Sequence, residues 1–248
     1  MENAIAAGLS QQVALSRALS TAANNVANQT TAGFKADRPA FQEYLAVLPA
    51  TSRAADPTVS LVFDPNTYVD FSQGALEPTG GDLDFAIDGE GFFAIETAFG
   101  VRYGRDGRFS INDAGELINR DGARVLCADG APISVNPVGG PITSTPDGEL
   151  QQLGARIGRI GVFTFDAPQG LSKEGSGLFD NPDGAAGEAT ARADARLARG
   201  FVEGSNVAPI VAVTNLIDIS RAFTQAGQII STANELAREA IERLGETS

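Results

Sequence analysis

The chain has 248 residues and a net charge of −13, with no His and a single Cys. Without His it lacks an imidazole base for a Ser-His-Asp or Cys-His nucleophile, and its acidic balance disfavours binding to nucleic acid or to an anionic membrane surface. No apolar run approaches the ~20 residues that cross a membrane, and no basic segment precedes the first apolar residues, so we expect neither membrane insertion nor a cleaved signal peptide.

The first predicted element is an N-terminal helix within residues 1–33. Its apolar residues recur with helical spacing at Ile5, Leu9, Leu15, Leu19, Ala22 and Val26. Gly33 can end this segment in the left-handed conformation. Three Asn occur within five residues, at positions 24, 25 and 28, which is a poor composition for an isolated helix. We therefore expect these side-chain amides to form hydrogen bonds with other chains, at places where helices pack closely.

The middle of the chain is expected to differ from its ends. Residues 34–79 have few periodic cues and several prolines, and are expected to form an extended connector; the prolines are Pro39, Pro49, Pro57, Pro65 and Pro78. Across residues 80–204, short apolar runs alternate with Gly, Asp and Asn, which predicts hairpins and a compact all-β domain. Cys127 stands between apolar neighbours and is expected to be a small buried residue rather than a reactive thiol.

None of the candidate ligand-binding motifs in the middle of the chain has both the spacing and the predicted secondary structure that its site requires. The run from Gly89 to Ala94 matches a dinucleotide fingerprint in letters only, because a strand is predicted where that site needs a helix, so a hairpin turn is expected. The acids at positions 82, 84, 88 and 90 fail the EF-hand spacing. Arg102, Arg105 and Arg108 are expected to be solvated turn residues. We therefore predict no catalytic residue, no cofactor and no metal site.

Residues 205–248 carry the clearest helical pattern. Apolar residues in 3-4 steps predict a coiled-coil seam at Leu216, Ile219, Phe223, Ala226, Ile230, Ala233, Ala237 and Leu244. Asn206 is expected to cap this helix, and Pro209 suits its first turn. Val213 and Ile217 lie off the seam, so the helix is expected to have more than one neighbour. The fold class is therefore mixed: an all-β central domain flanked by N- and C-terminal helices that pair as a coiled coil in an assembly.

Three segments carry a resemblance to a known family. The first is an A-N-N-x-A-N-x-x-T-x-G-F-K pattern, whose positions are filled by Asn24, Asn25, Asn28, Thr31, Gly33, Phe34 and Lys35. The second runs from Ser72 to Phe93 and resembles the block that opens the β domain of the same family. The third begins at Gly204-Ser205-Asn206-Val207. Together they resemble the bacterial flagellar rod and hook proteins.

This resemblance implies a structural subunit of the flagellar basal-body rod that stacks helically and transmits torque. It implies export by the flagellar type III apparatus without a cleaved signal, location in the periplasmic rod, and partners that are copies of the chain and other axial rod proteins. Within the family, the length and the immediate start of the helix fit the proximal rod component, with the distal rod and hook proteins as alternatives. From other classes, a secreted β-domain hydrolase using two carboxylates and a calcium-dependent adhesion module remain open.

Overall fold

The computed structural model describes residues 2–47, 58–136, 139–140, 142–145 and 148–246. The chain divides into two compact units. Unit 1 comprises Met1–Ala27, Asp37–Val69 and Ala208–Ser248, and unit 2 comprises Asn28–Ala36 and Asp70–Val207. Among the described residues, no helix is long and apolar enough to cross a membrane.

Unit 1 contains both α-helices of the described residues, α1 (Glu2–Ala27) and α2 (Pro209–Glu246). Both predicted terminal helices are therefore confirmed, and Pro209 opens the second one, where its missing N–H is not needed. The helices pack against each other in antiparallel directions, because Gly8 faces Ile230 while Gln12 faces Gly227. A Cβ at Gly8 would come within 3.0 Å of the Ile230 side chain, so glycine permits this close approach.

The N-terminal helix buries smaller residues than the sequence pattern suggests. Its buried side chains include Ala14, Ala18 and Ala22, which stand one turn apart on a single face. Leu9 belongs to the predicted stripe but is more than half exposed. Of the other predicted positions, Ala22 is buried and Leu15, Leu19 and Val26 are partly shielded, so the predicted stripe overlaps the alanine face at Ala22.

The stretch 34–79, expected to form an extended connector, instead contains two long strands that pair in antiparallel directions in unit 1. Strand β1 (Asp37–Val47) pairs with β2 (Thr58–Val69), and both lie against α1. The register shifts between Ala40 and Gln42, so Pro65 lies in the irregularity, where a residue without a backbone N–H is tolerated. The Val- and Phe-containing run after Thr58 was not predicted as a strand, because the prolines of this segment suggested a connector. Pro49 and Pro57 lie outside the described residues.

Unit 2 is mostly β structure, which confirms the expected character of the central region. Its strands are β3 (Leu76–Pro78), β4 (Phe85–Asp88), β5 (Phe92–Thr97), β6 (Gly100–Gly104), β7 (Ser110–Ile111), β8 (Leu117–Ile118), β9 (Arg124–Val125), β10 (Ile142–Ser144), β11 (Glu149–Gln152), β12 (Ala155–Arg159), β13 (Val162–Thr164), β14 (Ser172–Lys173), β15 (Leu178–Asp180), β16 (Thr190–Ala191), β17 (Arg196–Arg199) and β18 (Phe201–Glu203). Short 3₁₀ turns occupy Pro168–Gly170, Gly175–Gly177 and Pro182–Gly184.

The largest sheet of unit 2 has the strand order β14-β15-β6-β5-β9-β8-β7, with β13 pairing with β5 and β16. Strands β10, β11 and β12 form a second sheet, while β17 pairs with β4 and β18 pairs with β3. Phe85, Phe93, Leu117, Leu150 and Ile160 are among the fully buried side chains of the shared core. Because β18 pairs with β3, the last strand of unit 2 lies beside its first strand.

Two smaller predictions for this region have different outcomes. Cys127 is buried and its thiol donates to the Ala131 carbonyl at 2.9 Å, which confirms the expected role; burial also raises the pKa of this thiol. The expected hairpin at Gly89–Gly91 is wrong. That turn joins two strands, as expected, but β4 pairs with β17 and β5 pairs with β6, β9 and β13, so the strands it connects belong to different sheets.

Candidate functional site

The asparagine-rich motif folds as a helix end followed by a tight turn. Within unit 1, the Asn25 side chain accepts a hydrogen bond from the Asp37 N–H at 2.9 Å and donates to the Asp37 carbonyl at 2.7 Å. In unit 2, the Thr31 N–H donates to the Asn28 carbonyl at 3.1 Å, and the Thr31 hydroxyl lies 3.2 Å from the Asn28 side-chain oxygen. Asn24 is exposed. In this subunit, Asn25 and Asn28 therefore bond to the chain's own neighbouring segments.

Gly33 occupies a position that no other residue fits. Its φ is +67°, and its N–H donates to the Glu203 carbonyl at 2.7 Å. An added Cβ would stand 2.6 Å from the Arg105 carbonyl carbon and still closer to the Asp106 nitrogen. Glycine is therefore required both by the left-handed backbone and by the contact between two main chains.

A buried ion cluster follows directly after Gly33. The Glu203 carboxylate accepts from Lys35 Nζ at 2.6 Å and from the Gly74 N–H at 2.9 Å through one oxygen, and from Arg105 Nη1 at 2.9 Å through the other. Lys35 also donates to the Ser72 carbonyl at 2.7 Å. The side chains of Lys35 and Glu203 are fully buried and that of Arg105 nearly so.

The electrostatics of this cluster make its three charged members interdependent. Burial lowers the pKa of Lys35 and the pKa of Arg105, and the attraction of Glu203 opposes both changes. Removing one partner of a buried ion pair leaves the other charge unpaired in a low dielectric, which is strongly destabilising. Glu203 compensates two cations at once, so the cluster depends most on this residue.

Asn206 completes the site beside the cluster. Its side-chain oxygen accepts from the Ala36 N–H at 2.8 Å, its amide donates to the Asp70 carbonyl at 2.7 Å, and its own N–H donates to the Phe34 carbonyl at 3.3 Å. The expectation that Asn206 caps α2 is therefore wrong: the helix begins later, at Pro209, and the Asn206 side chain is engaged with the N-terminal segment.

The remaining lysine of the chain also lies here. Lys173 Nζ stands 3.9 Å from the centroid of the buried Phe34 ring and donates to the Lys35 carbonyl at 2.8 Å. A cation over an aromatic face at this distance is attracted to it. We call the whole site the terminal junction, and it consists of Gly33, Phe34, Lys35, Ala36, Ser72, Gly74, Arg105, Lys173, Glu203 and Asn206.

Sequence reasoning singled out Lys35 but missed its charged partners in the terminal junction. Arg102 and Arg105 were expected to be solvated, but both are buried. Arg102 pairs with Glu174 at 2.8 Å and with Asp180 at 3.0 Å, whereas Arg108 is partly exposed and pairs with Asp106. Arg105 meets Glu203, which lies 98 residues further along the chain. A pair so distant in sequence leaves no local periodicity to detect.

The C-terminal seam can be followed for most of its length. Six of its predicted residues alternate with more exposed neighbours and are at least partly shielded: Leu216, Ile219, Phe223, Ala226, Ile230 and Ala233. Ala226 is buried, and Ile230 faces Gly8. The side chains of Ala237 and Leu244 fall outside the described ones. Within the part of the chain that the structure describes, no group of His, Cys, Asp and Glu could hold a metal ion.

Comparisons with known proteins place this architecture in one class. The family model described as the flagellar hook protein FlgE/F/G D1 domain matches residues 86–152, and the model of the flagellar basal body rod FlgEFG protein C-terminal region matches residues 198–243. The first match contains Arg105 and the second contains Glu203 and Asn206. Both therefore concern axial proteins of the flagellum.

Full-length relatives make the assignment specific. The chain is 39% identical to flagellar basal-body rod protein FlgF of Caulobacter vibrioides, over 99% of each chain. It is 39% identical to FlgF of Mesorhizobium japonicum over 100% of each chain, and 31% identical to the rod protein FlgG of Bacillus subtilis over 97% of this chain and 98% of that one. The chain belongs to the flagellar basal-body rod protein family.

Membership of this family settles the class of function. The chain is a structural subunit of the rod rather than an enzyme, its place is the flagellar basal body, and it assembles with other axial flagellar proteins. The hydrolase and the adhesion module that the sequence left open are not supported.

Proposed function

We propose that this chain is the FlgF-type, proximal subunit of the rod, and that its terminal helices pair as a coiled coil within the assembly and join it to copies of itself and to other axial rod proteins. The relatives named FlgF support this choice, since they are 39% identical over the full length, whereas the B. subtilis FlgG is 31% identical. Export by the flagellar type III apparatus belongs to the same proposal. A chain with one Cys cannot form an internal disulfide that would obstruct passage through it.

The observation that carries the proposal is the apolar surface left on α2 after it packs against α1. Ile229 and Leu236 stand one heptad apart and are 70% and 58% exposed. Ile210, Val213 and Ile217 form a second exposed stripe, at i, i+3 and i+7, near the start of the helix. Apolar stripes of this length on the surface of a subunit indicate further partners. Repeated contacts between different faces of identical subunits build helical filaments.

The same helix supplies a matched control surface. Polar residues follow 3-4 steps on the exposed side of α2, at Asp218, Arg221, Gln225, Gln228, Thr232 and Glu235. We regard this polar stripe as solvated in the assembly. Gln228 and Ile229 are therefore neighbours in sequence but differ in the surface they present.

The test compares Ile229→Asp with Gln228→Asp in a strain that has no other copy of the gene. Ile229→Asp should leave the purified subunit folded, because the residue is exposed, but remove the chain from isolated basal bodies and abolish motility. Gln228→Asp introduces the same charge and should be motile. A motile Ile229→Asp strain whose basal bodies hold the normal amount of the chain would refute helix-mediated stacking.

A further inference from the structure

The chain passes between the two compact units at four places, and the ends of unit 2 at three of these places are Ala36, Asp70 and Val207. Ala36 leads into β1, Asp70 follows β2, and Val207 precedes α2. Two of these ends are joined directly, because the Asp70 N–H donates to the Ala36 carbonyl at 2.8 Å. Unit 2 therefore holds the ends of β1 and β2 side by side.

The side chain of Asn206 joins the third end to the other two. Its oxygen accepts from the Ala36 N–H at 2.8 Å, and its nitrogen donates to the Asp70 carbonyl at 2.7 Å. The same nitrogen lies 3.2 Å from the Ser72 carbonyl, which also accepts from Lys35. One side chain therefore connects the three ends and shares an acceptor with the buried ion cluster.

The segment that follows α1 reaches the same residue through its main chain. Residues 28–36 lead from the end of α1 to the start of β1. Within this segment, the Phe34 carbonyl accepts from the Asn206 N–H at 3.3 Å, and the Gly33 N–H donates to the Glu203 carbonyl at 2.7 Å. Asn206 is thus bonded to both of the other segments by which the chain enters and leaves unit 2.

The chemistry of asparagine fits this position. Its amide donates through the nitrogen and accepts through the oxygen, whereas an ionised aspartate of the same shape only accepts. Aspartate at position 206 would keep the bond from the Ala36 N–H, but it would bring a carboxylate oxygen against the Asp70 and Ser72 carbonyls. The donated bonds can therefore be removed without a change in the size of the side chain.

We propose that Asn206 is a positioning residue for rod assembly, which fixes within unit 2 the points from which the chain continues into β1, β2 and α2. Segments that leave from fixed points have less conformational freedom to lose when the helices meet their partners, so the entropy of ordering them opposes assembly less. This inference rests on the helix-mediated assembly proposed above, and it names a residue outside the exposed stripes of α2 that assists it.

The first experiment compares Asn206→Asp with the matched control Asn181→Asp. The Asn181 side chain donates to the Gly187 carbonyl at 2.8 Å and accepts from the Ala186 N–H at 2.9 Å, so it makes the same types of bond within a single loop of unit 2. Each variant loses donated bonds, and each purified subunit should melt about 2–4 °C lower. Incorporation into isolated basal bodies should fall about tenfold or more for Asn206→Asp but not for Asn181→Asp.

Incorporation is measured by quantitative mass spectrometry in a strain that has no other copy of the gene. Normal incorporation of Asn206→Asp would overturn the proposal. An equal fall for both variants would also overturn it, because such a fall would reflect stability alone. Asn206→Ala removes the same bonds without adding a charge and should show the same loss of incorporation, so the proposal stays testable if Asn206→Asp does not fold.

The second experiment locates the effect in the purified subunit by hydrogen exchange. In Asn206→Asp, amides of residues 34–36 and 70–72 should exchange about tenfold faster or more, while those of β5 and β6 keep their wild-type rates. Unchanged exchange in residues 34–36 and 70–72 would overturn the inference, as would faster exchange throughout unit 2.

Failure of this inference can be told apart from failure of the proposed function. A motile Ile229→Asp strain with normal basal bodies would refute the helix-mediated stacking on which the inference rests. Loss of Ile229→Asp from basal bodies, together with normal incorporation of Asn206→Asp, would refute the role of Asn206 alone.

Discussion

Glu203 is the residue on which the terminal junction depends. It is the only anion within hydrogen-bond distance of both Lys35 and Arg105 among the described side chains, and it also accepts from the Gly74 N–H. These groups come from three distant parts of the sequence. Any other arrangement of the segments that carry Lys35, Arg105 and Glu203 would leave a buried charge unpaired. The cluster therefore favours the native arrangement of these segments in unit 2.

The first prediction concerns Glu203→Gln. This change leaves two buried cations without a carboxylate and should lower the free energy of unfolding of unit 2 by about 3–5 kcal/mol, measured by urea denaturation. Adding Lys35→Met should restore part of that loss, since the double variant has one fewer unpaired charge. As a control, Glu239→Gln breaks the exposed pair with Arg243 and should cost no more than about 0.5 kcal/mol. Strictly additive losses for Glu203 and Lys35 would contradict the interdependence.

The second prediction concerns Gly33→Ala. The added methyl group would overlap the main chain at Arg105 and Asp106, so we expect a loss of about 3 kcal/mol or more in the free energy of unfolding. Gly122→Ala is the matched control: its φ is +82°, but no atom lies within 4 Å of the added Cβ. It should lose only the backbone cost of about 1–2 kcal/mol. Equal losses for both variants would mean that the close approach at Gly33 has no energetic role.

Local sequence patterns predicted those helices and strands whose formation depends on local interactions. The two helices follow from apolar periodicity, and the β character of unit 2 follows from short apolar runs between turn residues. The paired strands β1 and β2 were missed because their prolines suggested a connector, while Pro65 in fact lies in a register irregularity. The pairing of β18 with β3 could not be predicted, since it joins segments more than 120 residues apart.

The third prediction concerns the contact between α1 and α2. Ile230→Asp places a charge opposite Gly8, so it should increase amide hydrogen exchange throughout both helices in the purified subunit. The strands of unit 2 should keep their protection, because they belong to another compact unit. Ile229→Asp, which changes an exposed residue on the same turn, should not have this effect. Slow exchange in the helices of Ile230→Asp would contradict the packing described here.

The two compact units differ in the size of the side chains that they bury. The core of unit 2 contains several phenylalanines, leucines and isoleucines. In unit 1, the buried side chains among those described are small, namely Ala14, Ala18, Ala22, Val69 and Ala226. Because hydrophobic stabilisation scales with the apolar area removed from water, unit 1 should be the less stable part of a free subunit.

The fourth prediction follows from this difference. In the free subunit, amides of α1 and α2 should exchange at least about tenfold faster than those of β5 and β6, and assembly into basal bodies should remove most of that difference. Hydrogen exchange with mass spectrometry on both forms measures this ratio. Helices that are as protected in the free subunit as in the rod would show that unit 1 is autonomous.

The distribution of lysine gives the terminal junction a practical consequence. The chain contains two lysines, and both have their ammonium groups engaged in this site. A protease that cleaves only after lysine would therefore have to open the site before it could cut. Cleavage would release residues 1–35, 36–173 and 174–248, so the rate at which these fragments form would report the opening of the site without any label. The same digestion could follow a subunit from unfolded chain to finished rod.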